Sequence, residues 1–178
     1  MTVNLLGMSG SLRKASTNSA LVRAAAEAMG EDVDFAFADL DLPLYNGDVE
    51  DAGYPESVET FVAQIRAADA IVISTPEYNK NISGVLKNAL DWQSRFSPGP
   101  MAGKPVAILS ATAGRSGGEL TQFSLRHCLT PFGPRILQQP QLHVGSNFKD
   151  TVFANGELAD EKAREKLGEI MGALRAII

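Results

Sequence analysis

Residues 70–81 read Ala70-Ile71-Val72-Ile73-Ser74-Thr75-Pro76-Glu77-Tyr78-Asn79-Lys80-Asn81. The first six are apolar or small without alternation. That pattern predicts a strand buried on both faces, as in a parallel sheet covered by helices on each side. Pro76 then ends the strand in a turn. Working outward, the same sequence of strand and polar loop recurs. Val3 to Met8 is a short apolar run that opens into Gly10–Ser19. Val33, Phe35 and Phe37 alternate within a second strand, Val33 to Ala38. Val106 to Leu109 is a fourth buried strand, followed by Thr112–Gly118. Arg135 to Val144 reads as a fifth strand, weakened by Pro140, which cannot donate to a ladder.

Helical periods lie between these strands. Thr17 or Asn18 can cap a helix whose apolar face is Leu21, Ala24, Ala25, Ala28 and Met29. Pro55 can open a second, with Val58, Phe61, Val62 and Ile65 at helical spacing. Ser83 caps a third, carrying Val85, Leu86, Ala89 and Leu90. Glu119 to about Leu129 and Asp160 to Ile178 complete the set. Five strands alternating with five helices predict a doubly wound α/β sheet with right-handed crossovers. Without a repeat, linker or low-complexity tract, residues 1–178 are expected to form one domain. The turn-rich stretch from Asp39 to Gly53 is long for a connector, which marks it as a functional loop.

Composition narrows the function. The chain has 178 residues, 16 basic and 21 acidic, for a net charge of -5. An acidic balance offers no footprint for nucleic acid. One cysteine, Cys128, excludes an internal disulfide and an all-cysteine metal cluster. It reads as a small core residue. His127 and His143 lack metal-ligand spacing, so no metal site is expected. No apolar run has membrane-spanning length, and Met1–Gly7 lacks a basic leader, so no membrane association and a cytoplasmic location are expected.

In such a sheet, ligands bind at the carboxyl ends of the strands. The loop Gly10-Ser11-Leu12-Arg13-Lys14-Ala15-Ser16-Thr17-Asn18-Ser19 brings hydroxyls, an amide, two cations and a helix start together, which is phosphate-binding chemistry. Residues 7–12 are not GxGxxG, and no GxxxxGK[ST] occurs, so a mononucleotide phosphate is favoured over a dinucleotide or P-loop site. Thr75–Asn81 offers a rigid turn with an aromatic plate for a flat heterocycle. Thr112–Gly118, rich in glycine, lets backbone approach a ligand.

On three segments the chain resembles the NADPH-dependent FMN reductase family, the flavodoxin-like group of quinone, chromate and azo-dye reductases. They are Gly10-Ser11-Leu12-Arg13-Lys14-Ala15-Ser16-Thr17-Asn18, Thr75-Pro76-Glu77-Tyr78-Asn79 and Gly84-Val85-Leu86-Lys87-Asn88-Ala89-Leu90-Asp91-Trp92. The acidic-proline stretch Asp41-Leu42-Pro43-Leu44-Tyr45 is also family-like. The resemblance implies a flavodoxin-like three-layer sandwich with strand order 2-1-3-4-5. It implies non-covalent FMN, with NADPH or NADH as co-substrate. Ser11, Arg13, Ser16, Asn18 and Ser19 would hold the phosphate, and Pro76, Glu77, Tyr78 and Asn79 would line the ring. Thr112 and Gly114 would lie near the ribityl chain or the ring edge, in a third loop that departs from the Ser-rich form of some relatives.

The implied reaction passes electrons from NAD(P)H through FMN to quinone-like, flavin, azo or chromate-type acceptors in a ping-pong order. The cofactor carries the chemistry, so no catalytic side chain is expected. A homodimer is the implied assembly. A tetramer through an arginine after Gly117-Gly118 is less supported, because Glu119 stands there. An alternative is an electron-transfer flavodoxin without NAD(P)H activity, but its T-x-T-G-x-T loop and strongly acidic surface are missing. A flavin-free receiver domain would need acidic residues where Ser9, Gly10 and Ser11 stand.

Overall fold

The computed structural model describes residues 2–178. Its elements begin with β1 (Val3–Ser9), α1 (Thr17–Ala28), β2 (Val33–Phe37), α2 (Gly47–Asp51), α3 (Glu56–Ala67) and β3 (Ala70–Thr75). There follow α4 (Gly84–Gln93), β4 (Pro105–Ala111), α5 (Glu119–Leu129), β5 (Arg135–Ile136) and β6 (Leu142–Val144). A hairpin of β7 (Phe153–Ala154) and β8 (Glu157–Leu158) precedes α6 (Glu161–Arg175).

The main sheet is parallel, in the order β2-β1-β3-β4-β5, which is the flavodoxin-like order. Every residue of β3 and β4 is buried, as expected for central strands covered twice. Strand β2, at the edge, alternates between half-buried and exposed. Successive side chains of one strand point to opposite faces. Accordingly, Ile71 and Ile73 join Phe61, Ile65, Leu86, Leu90, Trp92 and Leu125 in one core, with α3, α4 and α5. Ala70 and Val72 join Leu21, Val22, Ala25, Ile170, Met171 and Leu174 in the other, with α1 and α6.

Three expectations are corrected. The fifth strand is two short pieces, β5 and β6, each pairing β4, with Pro140 in the unpaired stretch between them. The segment from Asp39 to Gly53 is not all loop. Asn46 caps the five-residue α2, its Oδ1 accepting from the Asp48 N–H at 3.0 Å. The segment is fastened to α4, where Trp92 Nε1 and Asn88 Nδ2 donate to Pro43 O at 2.7 and 3.0 Å. Trp92 is therefore a packing residue, edge-on to Tyr45 at 5.0 Å between ring centroids. Finally, Cys128 is half-buried at the margin of the first core rather than inside it.

Candidate functional site

Strand β1 delivers Ser9 to the carboxyl edge of the sheet. The Gly10 N–H donates to Ser74 O at 2.8 Å, so the chain turns while pressed against β3. A Cβ on Gly10 would lie 2.6 Å from Thr75 Oγ1 and 2.9 Å from Ser83 Oγ, closer than side chains pack, so glycine is required. The loop then rises to α1. Its N-cap is Ser16, not Thr17 or Asn18, with Ser16 Oγ accepting from the Ser19 N–H at 3.2 Å. Among the described residues, the N–H groups of Thr17 and Asn18 have no protein acceptor. Arg13 is exposed and makes no ion pair among those residues. Free N–H groups at the positive end of a helix, beside a guanidinium and two hydroxyls, form an anion cradle.

The Asn18 side chain also has a structural role. It is buried, and its Oδ1 accepts from Ser74 Oγ at 2.8 Å and from the Ala111 N–H at 3.0 Å, while Nδ2 donates to Ala111 O. The amide ties β3, β4 and α1 together. One amide hydrogen and the backbone N–H are what it retains for a ligand. Ser19 also turns inward, its hydroxyl donating to Ser9 Oγ at 2.9 Å.

The second loop is a two-residue tight turn. Tyr78 and Asn81 exchange N–H···O bonds, both at 3.0 Å, with Asn79 and Lys80 at φ of 52° and 67°. Asparagine adopts this left-handed region readily and lysine does so rarely, so the turn is held by its surroundings. Glu77 supplies part of that support. Its carboxylate accepts from the Thr121 N–H at the start of α5 and lies 3.5 Å from Lys80 Nζ. Thr121 Oγ1 donates to Pro76 O at 3.2 Å. The Glu77 side chain thus anchors the loop to α5.

The third loop runs from Thr112 to Gly118 and is covered by the turn after β6. The Ser146 N–H donates to Gly114 O and the Asn147 N–H to Thr112 O, at 3.2 and 3.1 Å. Asn147 Nδ2 reaches Thr17 Oγ1 at 2.7 Å, joining this turn to the helix cap. Beneath it, buried Gln122 donates to Ser110 Oγ and Leu142 O. Burial pushes the His143 imidazole on β6 below its usual range, reinforced by Arg126 and opposed by Glu119.

The three loops enclose one cavity of about 380 Å³. Ser11, Arg13, Ser16, Asn18, Pro76, Glu77, Tyr78 and Thr112 all line it. Asn79 does not, because it forms the tip of the tight turn. Gly114 does not either, since its carbonyl is engaged by Ser146. Ser19 instead faces a neighbouring cavity of about 550 Å³ on the β2 side. Asn147 and Phe148 line the smaller cavity without having been expected there. The turn-forming run Gly145-Ser146-Asn147 after the last strand was the signal for them. The cavity has an anion-holding end and a flat end of proline, aromatic and backbone surface, with a volume ordinary for a small-molecule site.

Residues 3–149 match the sequence profile of the family described as NADPH-dependent FMN reductase. The chain belongs to the NADPH-dependent FMN reductase family. It is 44% identical over 174 residues to an NAD(P)H-dependent FMN reductase of Pseudomonas aeruginosa, covering 97% of this chain and 94% of the relative. To a quinone reductase of Escherichia coli K12 it is 37% identical over 161 residues, 89% of this chain and 86% of the relative. Among solved structures, the flavoenzyme NAD(P)H:(acceptor) oxidoreductase FerB from Paracoccus denitrificans superposes with a TM-score of 0.87 at 31% identity, covering 97% of this chain and 95% of that one. FMN reductase family membership thus spans the cradle, both later loops and the turn that covers them.

Proposed function

We propose that the protein is an FMN-dependent NAD(P)H oxidoreductase that transfers electrons to small acceptors of the quinone, flavin, azo or chromate type in a ping-pong order. One observation carries this reading: the cavity at the carboxyl edge of the sheet joins an anion cradle to a flat-walled slot. Those two halves fit the two halves of FMN. Arg13, the hydroxyls of Ser11 and Ser16, and the free N–H groups of Thr17 and Asn18 would hold the phosphate. Pro76, Glu77 and Tyr78 from one side, and Thr112 from the other, would line the ring. FMN, when bound, supplies reversible hydride and electron transfer.

The chain's own residues bind, orient and leave one face open. The N–H groups of Glu77 and Ala113 have no protein acceptor among the described residues and are available to the polar edge of the ring. Tyr78, half exposed at the mouth, offers a flat surface to an incoming co-substrate. A homodimer belongs to the same reading. Tyr78, Leu120, Phe123 and Phe148 are large, apolar and exposed around this mouth and the adjoining start of α5, and a second copy covering them would close the cavity.

Oxidation of NADPH and NADH by the FMN-loaded protein, measured against an acceptor panel, tests the reading. Acceptor-dependent oxidation with parallel double-reciprocal lines is expected. A yellow protein inert without an added reductase would instead be an electron carrier. A protein that takes up no FMN overturns both.

A further inference from the structure

The cavity of about 550 Å³ beside the phosphate cradle is not needed to hold FMN in the reading above. It shares the wall formed by Ser11, Arg13, Ala15, Ser16 and Thr17 with the smaller cavity, so the two are halves of one divided cleft. Its chemistry is distinctive in a chain of net charge -5. Lys14 and Arg23 line it beside Arg13, the cation that the reading above gives to the FMN phosphate, and neither Lys14 nor Arg23 makes an ion pair among the described residues. Against them stands one carboxylate, Asp39, whose Oδ1 is held by the Asp41 N–H. The Arg23 guanidinium carbon lies over the ring of Phe37, 4.6 Å from its centroid, a cation–π contact at the cavity wall. Phe153, from the β7–β8 hairpin, supplies apolar surface at the same cavity. A cationic wall beside an apolar one, in a volume fit for a small molecule, suits a phosphate-bearing nucleoside.

We infer that this cavity receives the phosphate-bearing adenosine half of the dinucleotide co-substrate, while its nicotinamide half reaches the slot beside Tyr78. The inference rests on the oxidoreductase reading, because that reading supplies the co-substrate. A dinucleotide has one reacting ring and a remote half. Binding energy from the remote half positions the reacting one without taking part in the reaction. The larger cavity is the place in the cleft where unpaired cations meet such a remote half.

The variant Arg23→Glu tests this, because Arg23 is exposed on α1 and lies outside the FMN cradle. Calorimetric titration of the FMN-loaded protein with 2′,5′-ADP reads the subsite without turnover. Wild type binds, Arg23→Glu binds at least tenfold more weakly, and Arg23→Lys retains most of the affinity. FMN affinity, followed by flavin fluorescence, is unchanged in both. The KM for NADPH rises by a similar factor with kcat unchanged. Turnover with reduced nicotinamide mononucleotide, which has no adenosine half, is the same in wild type and variant. The inference is overturned if 2′,5′-ADP binds Arg23→Glu as it binds wild type, or if the truncated donor suffers the same loss. It is also overturned if added FMN displaces 2′,5′-ADP, which would make the cavity a site for a second flavin. Should Arg23→Glu fail to fold, Arg23→Ala carries the same expectations with a smaller loss of affinity. Failure of the oxidoreductase reading would appear separately, as absent NAD(P)H oxidation by a protein that still binds 2′,5′-ADP.

Discussion

At the scale of single residues, the site depends on a few groups with no substitute. Gly10→Ala places a methyl 2.6 Å from Thr75 Oγ1, so the cradle must shift, and FMN affinity is expected to fall in a fluorescence titration even where the fold survives. Arg13→Ala removes a charge-assisted contact of about 1.5–3 kcal/mol, equivalent to roughly 10- to 100-fold in Kd. Full flavin occupancy with unchanged affinity in that variant would sink its assignment. Asn18→Ala acts on stability instead. It orphans the Ala111 N–H and C=O and the Ser74 hydroxyl, all buried. At about 1–3 kcal/mol for a buried polar group left unpaired, urea denaturation should show a loss of roughly 3 kcal/mol. His143 gives a pH dependence. Its folded pKa is depressed by burial, so the unfolded chain binds the proton more readily. The unfolded state therefore gains as pH falls. The contribution is complete above the ordinary histidine value near 6.5 and is lost as pH falls below it. Thermal unfolding of His143→Asn should show a flatter decline from neutral pH to pH ~5; an identical profile would refute this.

At the scale of elements, legibility followed burial. Strands β3 and β4 are buried throughout, so their apolar runs could be read directly. The cap of α1 was misplaced by one or two positions, because Ser16, Thr17 and Asn18 are all capping types and only geometry selects the Ser16 hydroxyl. Sequence shows Asn18 as an amide near a helix start, but not the 93-residue reach to Ala111 that engages its side chain and leaves its backbone N–H to face the cavity's anion end. The β7–β8 hairpin was missed, although Asn155-Gly156 is the strongest short hairpin signal. Two-residue strands carry no alternation, so the turn stood without flanks. Asn155 and Gly156 adopt φ of 52° and 84°. Gly156→Val is expected to cost about 1–2 kcal/mol through left-handed strain, visible as a lowered urea midpoint. An unchanged midpoint would place the hairpin outside the cooperative unit.

At the scale of the molecule, ligand and fold are linked. A flavin that binds only the folded chain stabilises it by about 2.7 kcal/mol when present at 100 times its Kd. For a chain of this size each kcal/mol moves Tm by about 2–4 °C, so FMN should raise Tm by roughly 5–11 °C in a thermal melt. No shift at saturating FMN would mean that the cradle does not bind it. The apolar surface around the cavity mouth predicts a homodimer mass by light scattering, and a monomer would leave the mouth open. The bond from Asn147 to Thr17 spans 130 residues. It carries a consequence for biosynthesis. The cradle's phosphate loop comes early in the sequence, yet its rim is fastened by a side chain that a ribosome adds 130 residues later. Until Asn147 emerges, the nascent protein has a phosphate loop with no completed pocket. A pocket held by that bond thus cannot be completed on the nascent chain before residue 147 has been added.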